Sequence, residues 1–247
     1  MTGPRTRRAL IFAGTYVLYH FVYTVINRLN VGREAHQLFL PGEKSLPLVV
    51  PFAFVYAGGF LLPVVVLFVR LDAASFNRLL RAFWLTATAA FVVFVIFPVS
   101  LERPAIPDVP GARLLRLIYV DQPNNDFPSL HVAVGWLVYL ACRRITRWST
   151  PLLIGVLAVS VSTVLVKQHY VVDVLGGIAF ASVAWKVAGR GARADRRASS
   201  SPAASDSRAV PRTPPPGRPR QLRASVAAPR DLARSGVCTS PTSSIVA

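Results

Sequence analysis

The sequence predicts an all-α, polytopic membrane protein arranged as a six-transmembrane-helix bundle. Three observations carry this. The 247-residue chain is 53% hydrophobic, with a mean hydropathy of +0.45. Its apolar residues gather into runs that approach the roughly 20 residues a helical span needs. Its formal net charge of +17 is segregated from those runs instead of being spread over a polar surface. Nucleic-acid binding is excluded as a function class, because no aromatic residues interleave with the arginines and no recognition motif occurs. Cys142 and Cys238 are the only cysteines, so no disulfide framework organises the chain.

The first apolar run, 9–27, follows Arg5, Arg7 and Arg8 and ends in Asn27-Arg28-Leu29-Asn30 with no small-residue cleavage site. It reads as a retained span, not a signal peptide. The second and third runs lie at 48–69 and 82–100, the sixth at 170–188. The fourth and fifth, 129–142 and 151–166, are shorter and reach a full span only with polar residues at headgroup level. Between the third and fourth lies the one sizeable loop, 101–127. Within it Ala112 to Val120 places Leu114, Leu115 and Ile118 on one helical face, which fits either an interfacial helix or an ordinary connector.

Residues 1–188 therefore form the membrane domain. Residues 189–247, rich in Arg, Ser, Ala and Pro and containing Pro214-Pro215-Pro216, are expected to be a disordered basic cytoplasmic tail. From residue 190 onward there are 11 Arg and 3 Asp, so about half of the net charge says nothing about the membrane domain. Arg190, Arg193, Arg196 and Arg197 fit a topology anchor, or a contact with the anionic inner leaflet worth about 1 kcal/mol per residue.

Orientation follows from the basic residues flanking the runs. Six spans with the N-terminus inside put 14 Lys and Arg on the cytoplasmic side against 7 outside. This predicts a multi-pass cell-membrane protein with both termini cytoplasmic.

Between Thr150 and Lys186 the only ionisable side chains that interrupt the apolar background are Lys167, His169, Tyr170 and Asp173. An Asp or Lys at a span centre costs roughly 2.5–3.5 kcal/mol, so such residues face a cavity or each other. His169 and Asp173 are spaced i, i+4. On a helix they share a face, and the carboxylate can accept from one ring nitrogen and leave the other free as nucleophile or base.

The second constellation is Asn124-Asn125-Asp126-Phe127-Pro128-Ser129-Leu130-His131. Polar capping residues before a proline place Ser129 and His131 at the start of the fourth span, where free N–H groups and the helix dipole suit a phosphate. Arg103 follows the outer end of the third span. The predicted topology brings Arg103, Ser129, His131, Lys167 and His169 to one outer face.

A zinc site is the rival chemistry, because His131, His169 and Asp173 supply three ligand types. The neighbouring cations Arg103 and Lys167 disfavour a divalent ion and favour phosphate, so no metal and no cofactor are expected. No phosphate-binding Gly-rich loop or dinucleotide fingerprint occurs. Gly58-Gly59 and Gly176-Gly177 read as close helix-packing positions. His20, among aromatic residues of the first span, reads as a packed residue, and His36 as an outer-loop residue.

Arg103-Pro104, then Pro128-Ser129-Leu130-His131, then Ser162 with His169 and Asp173, resemble the three ordered motifs of the type 2 phosphatidic acid phosphatase superfamily. The stretches Asn125–Ala133 and Gln168–Gly176 are most similar to its inositol-phosphorylceramide synthase-like branch. The resemblance implies His169 as the nucleophile that forms a phosphohistidine, Asp173 as its orienting carboxylate and His131 as the acid for the leaving oxygen. It implies Arg103 and Ser129 as phosphate-binding residues. Two cation positions of the family fall on Ile96 and Thr163. Lys167, one helical turn beyond Thr163, can bring an ammonium to the same face. A phosphodiester carries less charge than a monoester and needs those cations less.

The expected function is phosphoryl transfer on a lipid phosphate at the outer face, as a metal-independent lipid phosphatase or as a phosphotransferase with a polyol acceptor such as inositol. The alternative is a non-catalytic lipid-phosphate-binding or scaffold protein of the same fold.

Overall fold

The computed structural model describes residues 4–69, 71–144 and 149–200. Their regular elements are all helical, with eight α-helices: α1 (Pro4–Leu29), α2 (Phe52–Gly58), α3 (Val65–Phe68), α4 (Ala73–Ile96), α5 (Ala112–Ile118), α6 (Leu130–Cys142), α7 (Ser149–Leu165) and α8 (Val171–Ser200). Among the described residues there is no strand, only two isolated parallel bridges, His36 to Val99 and Val99 to Asn125.

Each predicted run is helical, but the second is not one helix. Residues 48–69 break into α2, a 3-10 turn at Gly59–Leu61, and α3. Adjacent Gly58 and Gly59 carry a low helix propensity, and Pro63 removes a backbone donor two residues after the turn. α4, the helix of the third run, begins well before that run, at an Asp72 cap whose carboxylate accepts from Ser75 N at 2.6 Å. It stops at Ile96, just ahead of Pro98, and residues 97–100 continue as the extended link that carries Val99. α8 continues past residue 188 to Ser200, and the rest of the predicted tail, with Cys238, lies outside the described residues.

Three helical stretches are long and apolar enough to cross a membrane: Thr6–Leu29, Ala73–Ile96 and Val171–Gly191. Phe52–Leu61, α6 and α7 are apolar but shorter. The three long helices point to membrane association. Large apolar side chains also face outward on α1 (Val17, Phe21), α4 (Val92, Ile96), α7 (Ile154) and α8 (Leu175, Val183), as on a lipid-facing surface.

The tightest packing joins α4, α6 and α8. Ala82, Ala133, Ala181, Ala184 and Ala188 are buried together, and their small side chains let the three backbones approach closely. Trp136 Nε1 donates to Ser182 Oγ at 2.9 Å, which ties α6 to α8. α1 leans on α4 mainly through Ile26, Tyr19 and Tyr23 against Ala87, Ala90 and Phe91. α5 buries Leu115 against Val50, Ala53, Tyr56 and Val166, so it is a packed helix of the bundle's rim.

At one end of the bundle, buried amides staple α1 to the loop before α6. Asn27 Nδ2 donates to Asn124 Oδ1 and Gln122 O, both at 2.8 Å. Asn30 Nδ2 donates to Phe94 O at 2.8 Å and adjoins the Asn125 amide. Asp126 N donates to Val99 O at 3.1 Å.

Candidate active site

α7 ends at Leu165, and the chain turns back sharply through Lys167, whose φ of 53° is left-handed. The amides of Gln168 and His169 both donate to Thr163 O, at 2.9 and 3.1 Å. His169 therefore precedes α8 and is not on it. Its approach to Asp173 comes from a cap, not from helical stacking at i, i+4. Asp173 Oδ2 reaches back to accept from Tyr170 N at 2.8 Å, half of a capping box. That oxygen lies 3.7 Å from His169 Nδ1, close enough for charge interaction and too long for a hydrogen bond. Asp173 is fully buried, and the remaining nitrogen of His169, Nε2, is the one free for chemistry.

Ser129 is the N-cap of α6, and its Oγ faces Val132 N at 3.4 Å. Its own N–H donates to Asp173 O at 3.0 Å, which clasps the start of α6 to the start of α8. Gly177 lies against the Ser129 carbonyl and Gly176 against the Phe127 ring, so neither has room for a Cβ. Asn124, Asn125 and Asp126 do not cap α6, contrary to the sequence reading. The two asparagines serve the α1 staple.

His131 sits on the first turn of α6. Its Nε2 is 3.1 Å from Tyr56 O, and since a carbonyl only accepts, Nε2 carries the proton. The ring stacks on Tyr56 with centroids 4.4 Å apart and meets the edge of Phe60. Gly59 faces the same ring, where a Cβ would collide with it. Of the Gly58-Gly59 pair only Gly59 is a close-packing position, since a Cβ on Gly58 would meet nothing within 4 Å.

His131 and His169 open onto one cleft of about 580 Å³. Its polar end also holds Asn125, Asp126 and Gln168, while the Phe12, Phe76 and Leu79 side chains line its apolar reach. From Tyr23 to Phe12 along α1 is about 16 Å at the helical rise per residue. Leu114, Leu117 and Ile118 of α5 close part of the wall. His20 also lines the cleft, stacked on Tyr16 at 4.1 Å. His36 lies outside it, exposed and stacked on Phe97.

The two expected phosphate cations are turned to protein oxygens. Arg103 Nη1 donates to Asp121 O at 2.6 Å and Tyr119 O at 3.3 Å, and Nη2 to Gln168 Oε1 at 3.1 Å and Asp121 Oδ1 at 3.4 Å. Its guanidinium also lies over the Tyr119 ring. Lys167 Nζ donates to Glu43 O at 3.4 Å. Burial pulls the Lys167 ammonium pKa below its usual range, with Glu43 opposing. Neither cation lines the cleft.

Glu43 is a site residue that sequence reasoning missed. It is buried, and its carboxylate accepts from Leu40 N at 2.9 Å and from Val171 N, the first amide of α8. It caps the helix that follows His169 from 128 positions away. Asp126, also missed, has its carboxyl pushed up to about 7 by burial, against the opposing charges of His169 and Arg103. Among the described residues, no group of three or more His, Cys, Asp or Glu is placed to hold a metal ion.

A family model described as the PAP2 superfamily matches residues 28–187, which include Glu43, Arg103, Asp126, Ser129, His131, Lys167, His169 and Asp173 but not the part of the cleft lined by α1. No curated protein and no solved structure matches the chain. The family match extends over well more than half of the sequence, so the chain belongs to the PAP2 superfamily, whose members are generally phosphatases.

Proposed function

We propose that the protein is an integral membrane enzyme that transfers phosphoryl groups from lipid phosphates through a phosphohistidine at His169. The observation that carries this reading is the pairing of His169 and His131 at the polar end of an otherwise apolar cleft, with buried Asp173 behind His169 Nδ1. The lipid chain lies along the apolar wall and the phosphate at the two imidazoles. In the first half-reaction His169 Nε2 attacks phosphorus in line, and His131 protonates the departing alkoxide. Ser129 and Arg103 act on the phosphate oxygens, Arg103 after exchanging one of its carbonyl partners for phosphate, and Lys167 assists from the same turn. In the second half-reaction water or a polyol such as inositol takes the phosphoryl group. The absence of cations at Ile96 and Thr163 favours a diester lipid and the inositol-phosphorylceramide synthase-like branch. No metal is required. The six apolar segments cross the membrane with both termini cytoplasmic and the site at the outer face, as the basic residues direct.

One observation favours a second reading. Arg103 turns both Nη groups, and Lys167 its Nζ, to protein oxygens, which suits a non-catalytic lipid-phosphate-binding or scaffold protein that kept the fold. A single assay decides. Purified protein in mixed micelles with EDTA is given lipid monoesters and diesters, with and without inositol, while phosphate release and transfer products are followed. Wild type is expected to turn over at least one substrate and His169→Ala none. Equal inertness of both would end the enzyme reading, and loss of wild-type activity on EDTA treatment would restore zinc.

A further inference from the structure

The half-reactions above use both imidazoles but leave one ionisable group of the cleft without a task. Asp126 lies in the link between α5 and α6, with its backbone pinned to Val99. Its side chain is 5% exposed, borders the cleft with His131 and His169, and carries an Oδ2 with no hydrogen-bond partner. A buried carboxyl oxygen without a partner costs free energy and marks a place where something else supplies the donor.

The neighbours do not supply it. Tyr23 of α1 and Tyr56 of α2 are close enough to feel its charge, and so are Arg103 and Asp121 of the loop. His169, Tyr170 and Asp173 face it from the turn and the start of α8. Yet Tyr23 Oη donates to Asp121 Oδ2 at 3.2 Å, the Arg103 Nη1 and Nη2 groups donate to Asp121, Tyr119 and Gln168, and Arg103 Nε and Gln168 Nε2, though without partners, make no bond to Asp126. The ionised carboxylates only accept.

We propose that Asp126 holds the acceptor hydroxyl, of water or of an alcohol, and takes its proton in the second half-reaction. This rests on the phosphohistidine reading. The acceptor oxygen forms its bond to phosphorus as the bond from phosphorus to His169 Nε2 breaks. The electron pair of that bond returns to the imidazole, and the acceptor proton passes to the Asp126 carboxylate, which returns it through water to His131, replacing the proton His131 gave to the leaving group, before the next turnover. A carboxylate raised to about 7 is matched to a base working near neutrality. Since the base must be ionised, discharge of the phosphohistidine rises with pH up to about 7 and is level above it.

The test uses the full-length protein in mixed micelles with radiolabelled phosphatidic acid and, separately, radiolabelled phosphatidylinositol. Wild type is expected to turn over one of them with little label held on protein. Asp126→Asn is expected to lose turnover by about 10²-fold or more while acid-labile label accumulates on His169. Hydroxylamine, a nucleophile that needs no base, is expected to discharge that label and restore turnover. Asp126→Asn that turns over like wild type, or that loses label and turnover together while keeping the wild-type melting temperature, overturns the proposal. If the variant does not fold, single-turnover discharge of wild type between about pH 5 and 9 decides, and a flat profile overturns it. A wild type that neither labels nor turns over either probe fails earlier, at the enzyme reading itself.

Discussion

The two walls of the cleft are built on different rules. The wall that carries His131 on α6 and His169 in the turn before α8 is held by directional contacts at helix starts: the Ser129 cap, the Ser129 N–H to Asp173 C=O bond, the Asp173 capping box and the Glu43 carboxylate on Val171 N. Glycines at 176 and 177 remove the side chains that would keep these segments apart. The opposite wall, α1 with α5, is made of aromatic and aliphatic faces, and α1 is anchored mainly at one end by Asn27 and Asn30. Directional bonds fix atoms to fractions of an ångström, whereas apolar contacts have no preferred orientation. Chemistry therefore belongs on the first wall and substrate range on the second.

The largest expected effect breaks the first wall at its reacting atoms. His169→Ala is expected to abolish phosphohistidine labelling, and His131→Ala to slow product release by about 10²–10⁴-fold, the usual contribution of a general acid. Rapid-quench labelling with a radiolabelled lipid phosphate reads both. If His131→Ala labels as fast as wild type, its ring serves packing against Tyr56 and not proton transfer.

The same substitution made on both walls separates them by sign. Gly177→Ala drives a methyl into the Ser129 carbonyl and is expected to cost about 1–3 kcal/mol, lowering the melting temperature and activity together. Gly14→Ala on α1 meets nothing within 4 Å and replaces a poor helix former inside a helix. It is expected to gain about 0.5–1 kcal/mol with activity unchanged. Melting curves in one detergent check the pair. Equal losses would mean that α1 packs as closely as α8 does.

On the apolar wall, Tyr16→Ala widens the cleft and removes the ring stacked on His20. It is expected to change KM for substrates of different chain length by several-fold while kcat stays within about twofold, because uniform binding is what a remote wall supplies. A fall in kcat at constant KM would place that wall at the reacting centre instead.

The helices were legible because each apolar run reports burial or lipid contact residue by residue. So were the starts of α6 and α8, at Leu130 and Val171 against apolar runs that begin at 129 and 170, although the capping by Ser129 and Asp173 was not read from the sequence. The break in the second run rested on Gly58, Gly59 and Pro63 acting together, which hydropathy does not weigh. The cleft was not legible. Its lining comes from α1, α2, α4, α5 and α6, and no local pattern states which faces meet. Asp126 read as a cap because it precedes a helix, and Glu43 gave no signal because its partner amide is far along the chain. For Arg103 and Lys167 the residue type pointed to phosphate, but the direction of a long side chain depends on the acceptors that tertiary structure offers it.

Lys167 gives the smallest expected effect and the sharpest test of that last point. Its ammonium reaches the Glu43 carbonyl, and its left-handed backbone helps form the turn that presents His169. If this geometry holds during turnover, Lys167→Met removes one bond to a carbonyl that has a second lone pair, and kcat/KM for a lipid phosphate falls less than about threefold. A lysine that swings to the phosphate makes a charge-assisted contact on the developing charge. Its loss then costs about 1.5–3 kcal/mol, on the order of 10²-fold in kcat/KM. Lys167→Gly separates backbone from charge, because glycine enters the left-handed region without strain. Equal kinetics for the Met and Gly variants, both close to wild type, would assign Lys167 to the turn. A matching 10²-fold loss in both would assign it to the phosphate and move the cation-bearing part of the site from the α4 end to the turn before α8.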